Sequence, residues 1–293
     1  MHHISKIHLV VCFIVETMVV QQYLFQMLAT VPLRSANCLS VCRRSLNTSS
    51  TQSSWFFSKD KEKTAGHSSL ISKDKSVYEL VTETVVPNQW DAYVKHKELN
   101  IQSLLAVQDV RCNHVASWSV VTGDTLFKAV HLFKYDDGFE DFDHTRTLLK
   151  TNTHYQDVCR SGLHTINKKH AELTKAFSFW PSADKREGNN VYDIRSYELK
   201  PGSMYDWSNY WARGIKHRSA VRQDVPYTGL FTQLGKLHTI YHIWCYKSLA
   251  DRKQCREGTW AHPEWNDIVA NTVPLVKTME TKIVEPLPFS PTQ

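Results

Sequence analysis

β-forming residues dominate Val77–Val85, and Pro87, a residue suited to opening a helix, closes the stretch. From Asn88 the apolar side chains Trp90, Tyr93, Val94, Leu99, Ile101 and Leu105 recur at roughly helical spacing, which predicts a helix to about Ala106. Two β-like runs follow at residues 114–121 and 126–135, joined by Thr122-Gly123-Asp124, a hairpin signal. The pattern then predicts a helical region over 139–171, broken near Asn152, and a closing strand over 174–180. The order is βαββαβ. The second half predicts the same order: a strand at Val191–Leu199, a helix at Met204–Val221, strands over 227–234 and 237–246, helical pieces up to Glu280 and a last strand near 282–285.

The two halves also match in sequence. "AVHLFKYD" from Ala129 parallels "IYHIWCYK" from Ile240, with His131 and His242 lying 111 positions apart. "VYELVTETVVP" matches "VYDIRSYELKP" at a spacing of 114, and "THYQDV" matches "PEWNDI" at 110. Three anchors in one order, with little drift in spacing, indicate a tandem duplication of a whole domain. The expected organisation is a leader (1–71), a first ferredoxin-like repeat (72–181), a linker (182–190) and a second repeat (191–293). Each unit is of the α+β class and covers only one face of its sheet with helices. The bare face must find a partner, and the second copy supplies it, giving a dimeric α+β barrel-like arrangement.

Charge and composition narrow the class. Apolar residues make up 42% and charged residues 22%, the fractions of a globular protein. Of the net +6, residues 1–71 carry +4, from Lys6, Arg34, Arg43, Arg44, Lys59, Lys61 and Lys63 against Glu16, Asp60 and Glu62. The rest is nearly neutral, so no nucleic-acid face is expected. Seven cysteines without a CxxC pair point to reduced, buried thiols. An apolar run over 7–15 follows Lys6, which leaves a secretory signal open. Glu16, Gln21, Gln22 and Gln26 interrupt that run before the roughly 20 residues of a membrane span, so no stable transmembrane anchor is expected. Residues 27–59 have no acidic residue, scattered Arg and many Ser, the composition of a mitochondrial presequence. A start at Met27 and removal of the presequence between Arg44 and Lys75 are expected.

"VYDIRSYELKPGSM", "YHIWCYKSLADR", "HPEWNDIVANTVPLV" and "METKIVEPLPFSP", in that order, resemble the NipSnap family. The resemblance runs from about Ser72 onward and covers both repeats. The first is the weaker match, with Asn88-Gln89 where the second has Gly202-Ser203 after the proline. The resemblance implies tandem dimeric α+β barrel domains in a non-enzymatic protein of the mitochondrial matrix, with no cofactor. It further implies display at the surface of damaged mitochondria, with recruitment of autophagy adaptors and ubiquitin-like modifiers. A homo-oligomer is compatible with it. The rival is a carrier or a monooxygenase-type enzyme holding haem or a small molecule in the barrel interior, as related barrels do. A vesicle-trafficking role would ask for a coiled-coil heptad run, and the chain has none.

The candidate chemistry sits on the repeated strands. His131 shares a face with Phe133 and Tyr135, and His242 with Trp244 and Tyr246. Glu79 and Asp193 occupy matching positions on the first strand of each repeat, with Arg195 on the face of Asp193. His131, His242, Trp244, Asp193, Arg195 and Glu79 form the candidate ligand site if those faces line the barrel. If the faces instead pack under helices, the histidines are hydrogen-bonded structural residues in an aromatic layer. Neither histidine has a second His, Cys or carboxylate at ligand spacing beside it, which argues against a haem or metal role. "DFDHT" from Asp141 imitates an aspartyl-phosphate phosphatase signature, but its predicted place at a helix start suits the helix dipole better. Tyr155-x-x-Val158 and Trp265-x-x-Ile268 match the minimal pattern that autophagy modifiers accept as an added strand. On helices the same spacing is a core stripe. No P-loop, GxGxxG, GxSxG or HExxH pattern appears, and no catalytic residue is expected.

Overall fold

A computed structural model describes residues 71–293, so the expectations for the leader and for Cys12, Cys38 and Cys42 lie outside the described residues. The first repeat comprises β1 (Val77–Val85), a 3-10 turn (Pro87–Gln89), α1 (Trp90–Leu105), β2 (Asn113–Thr122), β3 (Lys128–Tyr135), α2 (Phe139–Thr151), α3 (Thr153–Ser161) and β4 (Ile166–Ala176). The second comprises β5 (Val191–Leu199), α4 (Met204–Val221), β6 (Pro226–Leu234), β7 (Thr239–Tyr246), α5 (Leu249–Trp260), α6 (Trp265–Thr272) and β8 (Val276–Pro286). The break at Asn152 is a cap. Its extended backbone ends α2, and its side chain accepts the Tyr155 N–H at 2.9 Å to start α3.

Two expected helices run too far. The helical region over 139–171 ends at Ser161, and the one expected up to Glu280 ends at Thr272 and a short 3-10 turn, because β4 and β8 begin at Ile166 and Val276. Asn167 to Ala171 and Lys277 to Thr281 are exposed in succession. A strand wet on both faces has no period-two pattern to read. Of the expected strand over 174–180, Thr174, Lys175 and Ala176 lie in β4, while Phe177 to Trp180 leave the sheet.

Each repeat forms an antiparallel sheet, β4-β1-β3-β2 and β8-β5-β7-β6, and the pairs β2–β8 and β4–β6 close them into one barrel. Closure leaves no free edge strand. Strand parity then sorts the side chains. Tyr78, Leu80, Trp118, Val130, Leu132, Tyr192, Ile194, Tyr227 and Ile243 fill the interior from both repeats. The alternate positions face outward beneath the helices of their own repeat. The segments after β4 and β8 cross over. Phe177 and Trp180 pack into the second repeat's helix-covered layer, and Leu287 into the first's. Their anchoring is the same: Phe177 N donates to Gly229 O at 2.9 Å, and Leu287 N to Ser117 O at 2.8 Å.

Candidate functional site

Parity settles where the six candidate residues stand. Glu79, His131, Asp193, Arg195, His242 and Trp244 all lie on outward positions under the helices, the second of the two placements the sequence left open, and not in the barrel interior. They form two separate groups, one in each repeat.

In the first repeat His131 is 0% exposed and fully partnered. Its Nε2 lies 2.8 Å from Tyr93 Oη, which donates to Glu83 Oε2 at 2.7 Å. Its Nδ1 lies 2.7 Å from Ser117 Oγ, itself 2.7 Å from His114 Nε2. One tautomer satisfies every link: His114 Nε2–H to Ser117, Ser117 O–H to His131 Nδ1, and His131 Nε2–H to Tyr93. A β-bulge between His114 and Ala116 makes this possible, because it turns His114 and Ser117 to the same side. Lys97 Nζ donates to Glu83 at 2.9 Å, and both residues are buried. Burial alone would raise the Glu83 pKa, but Lys97, His131 and Lys169 hold it well below the usual carboxylate range. Burial, followed by the Lys97 charge, pushes His131 down to about 4, so it is neutral at pH 7. Glu79 stands apart and accepts from Tyr135 Oη at 2.9 Å.

The second repeat replaces this network residue for residue. At a spacing of 114, Tyr197, Trp207 and Trp211 stand for Glu83, Tyr93 and Lys97. Gly229, paired with His242 as Ser117 is with His131, stands for the serine. A Cβ at Gly229 would come within 2.5 Å of the Trp180 indole, so the crossing segment fills the space that the serine side chain has in the first repeat. His242 is 0% exposed, and neither ring nitrogen has a hydrogen-bond partner among the described residues. It sits instead in a box of rings, with centroids of Trp180 and Trp211 at 4.5 Å, Trp207 at 5.1 Å and Tyr197 at 5.2 Å. A neutral imidazole suits such walls through N–H···π contacts. Burial and the charges of Arg195 and Arg218 hold its pKa well below the ordinary value.

Beside that box lies a group the sequence reading largely missed. Asp193 accepts from Arg252 Nε at 2.7 Å and from Thr281 Oγ1 at 2.5 Å, and Arg195, Arg218 and Arg256 gather near it. The available signal was Arg252 and Arg256 at i,i+4 on one helix face. Arg218 sits at the end of α4, where its apolar counterpart Leu104 gave no warning.

The other motifs are structural. Asp141 of "DFDHT" is in the first turn of α2 and accepts the Asp137 N–H at 2.8 Å. Trp265 and Ile268 are buried in α6, and Tyr155 is half-buried in α3. Cys112, Cys245 and Cys255 are buried free thiols, and Cys159 is half-buried. Among the described residues no three His, Cys, Asp or Glu side chains gather as a metal site, and no helix is long and apolar enough to cross a membrane.

The NIPSNAP family model matches residues 192–291. Protein NipSnap of Drosophila melanogaster is 37% identical over 228 residues, covering 78% of this chain and 82% of that protein. Protein NipSnap homolog 2 of Homo sapiens is 32% identical over 270 residues, covering 89% and 93%. Among solved structures, a candidate monooxygenase of Fusobacterium nucleatum superposes with a TM-score of 0.53 at 9% identity, covering 73% of this chain and 93% of that one. At that identity the likeness is one of fold.

Proposed function

Since the chain belongs to the NipSnap family, we propose that it is a non-catalytic mitochondrial protein whose folded barrel, left outside when import fails, recruits autophagy adaptors and ubiquitin-like modifiers. The observation that carries this reading is the fate of the repeated histidine. His131 and His242 are both 0% exposed, and burial keeps both neutral, so what the duplication retains is a packing feature. An interior filled by side chains of both repeats supports the same view, since a substrate there would have to displace the core.

The acid-free, Arg-bearing composition of residues 27–59 supports the proposed destination. The membrane potential pulls Arg34, Arg43 and Arg44 inward, and its loss removes that pull. Recruitment then follows from location, with no chemical switch. The test replaces those three arginines by glutamine and leaves residues 72–293 unchanged. Adaptor binding at healthy mitochondria or in the cytosol should rise without depolarisation. Normal matrix entry of the variant, or a retained protein that attracts no adaptor, would overturn the reading. The small-molecule alternative rests on a different observation, the arginine group of the second repeat, and it moves from the barrel interior to the helix-covered face.

A further inference from the structure

The two repeats serve as each other's control. Beneath the helices of the first, Val81, Leu104 and Phe142 pack in one apolar cluster with Ile101, Phe133 and Tyr135. The corresponding positions of the second, at spacings of 114, 114 and 110, are Arg195, Arg218 and Arg252, and Arg146 keeps a counterpart in Arg256. The same fold closes this layer with apolar side chains once, so packing does not require the arginines. Burying such charges is costly without partners.

Asp193 answers Arg252 directly, but it is one carboxylate facing a cluster of guanidinium groups. Arg218 is 5% exposed, and its Nε and Nη1 have no partner among the described residues; the same holds for Arg195 Nε. The Arg218 Cζ lies 5.2 Å from the Trp244 ring centroid and 4.8 Å from that of Trp265. Those contacts stabilise the charge through the ring faces and leave its N–H groups for an acceptor. Arg195, Arg252 and Arg256 are half-buried, so these members of the cluster keep some contact with solvent. Burial first, and then the neighbouring charges of Arg195, Arg218 and Arg252, push Arg256 down to about 10, and a bound anion would offset the repulsion among those charges.

We propose that this cluster binds a small-molecule oxyanion, a phosphate monoester or a carboxylate, with the buried Arg218 N–H groups as inner donors, Arg195, Arg252 and Arg256 around them, and Trp244 and Trp265 as apolar walls. The depth of Arg218 beneath the helices favours a small molecule over a membrane or a protein surface. The site is independent of where the protein resides.

The test titrates the full-length protein with inorganic phosphate, phenyl phosphate and benzoate at matched ionic strength. Binding is followed by calorimetry and by the arginine Nε–H resonances. At least one of the three should bind saturably and shift a buried Nε–H signal. Arg218→Leu, which installs the first repeat's residue, should weaken that binding tenfold or more. Arg252→Gln, at the solvent side, should weaken it as well and serves if the first variant fails to fold. Arg146→Gln in the first repeat should leave it unchanged. A response to the phosphates alone assigns a phosphate ligand, and a response to benzoate alone a carboxylate. Absence of saturable binding by all three, binding that survives both second-repeat variants, or association only with phosphatidylserine vesicles would overturn the proposal.

Discussion

Glu83 and Lys97 illustrate how a buried pair is held by what surrounds it. Each is almost fully enclosed, and Tyr93 adds a further donor to the carboxylate. Lys97→Met leaves Glu83 without its nearest cation and should cost roughly 3–5 kcal/mol in urea unfolding, as for other buried pairs stripped of one partner. A loss below about 1 kcal/mol would mean that Lys169 and Tyr93 suffice. The histidines add a dependence on pH. His131 and His114 are both pushed down to about 4, chiefly by burial, while the unfolded chain takes up protons near 6.5. The unfolded state therefore binds more protons than the native state between those values. Stability is fully present above about 6.5 and declines as pH falls toward 4, by up to about 1.4 kcal/mol per pH unit for each histidine. His131 faces Glu83 on β1, Tyr93 and Lys97 on α1, and Ser117 and His114 on β2. His131→Gln should lessen the slope of stability against pH between 6 and 5 by about one proton. An unchanged slope would assign the acid sensitivity to other groups.

At the scale of elements, a crossing segment and a glycine define the second layer. Trp180 occupies the space over Gly229, so Gly229→Ala forces the indole out of the box around His242 and should cost about 1–3 kcal/mol, the usual range for overpacking. Combined with Trp180→Ala, the two effects should fall well short of additive; strict additivity would show that the residues do not meet. The sequence made the strands β1 and β5, the helix α4 and the βαββαβ order readable, because one-sided burial leaves a period and the duplication repeats it. It left β4 and β8 unreadable where they are wet on both faces. It also placed the histidines on the correct strands without saying which side was inward. That depends on closure between β2 and β8 and between β4 and β6, pairings more than 50 residues apart along the chain. The arginine cluster was hidden for a related reason. Its members come from β5, α4 and α5, and only the fold brings them together.

At the scale of the whole molecule, the barrel is one body written by two repeats. Strand pairs join them at both seams, and the segments carrying Trp180 and Leu287 pack each into the opposite layer. Neither half can open without exposing the other's core, so chemical unfolding should be a single transition. Probes of the two layers, the exchange of amides on β1 and on β5, should report the same midpoint. Separate midpoints would show two independent domains. Under the proposed function, such a closed body would recruit partners through its outer surface, wherever the protein resides. The most direct test of this account is to mix purified residues 72–293, free of leader and mitochondria, with a purified autophagy adaptor and measure binding. Saturable binding equal to that of the full-length chain, unchanged by His131→Gln, is the predicted result. Binding by the full-length chain and none by residues 72–293 would contradict it.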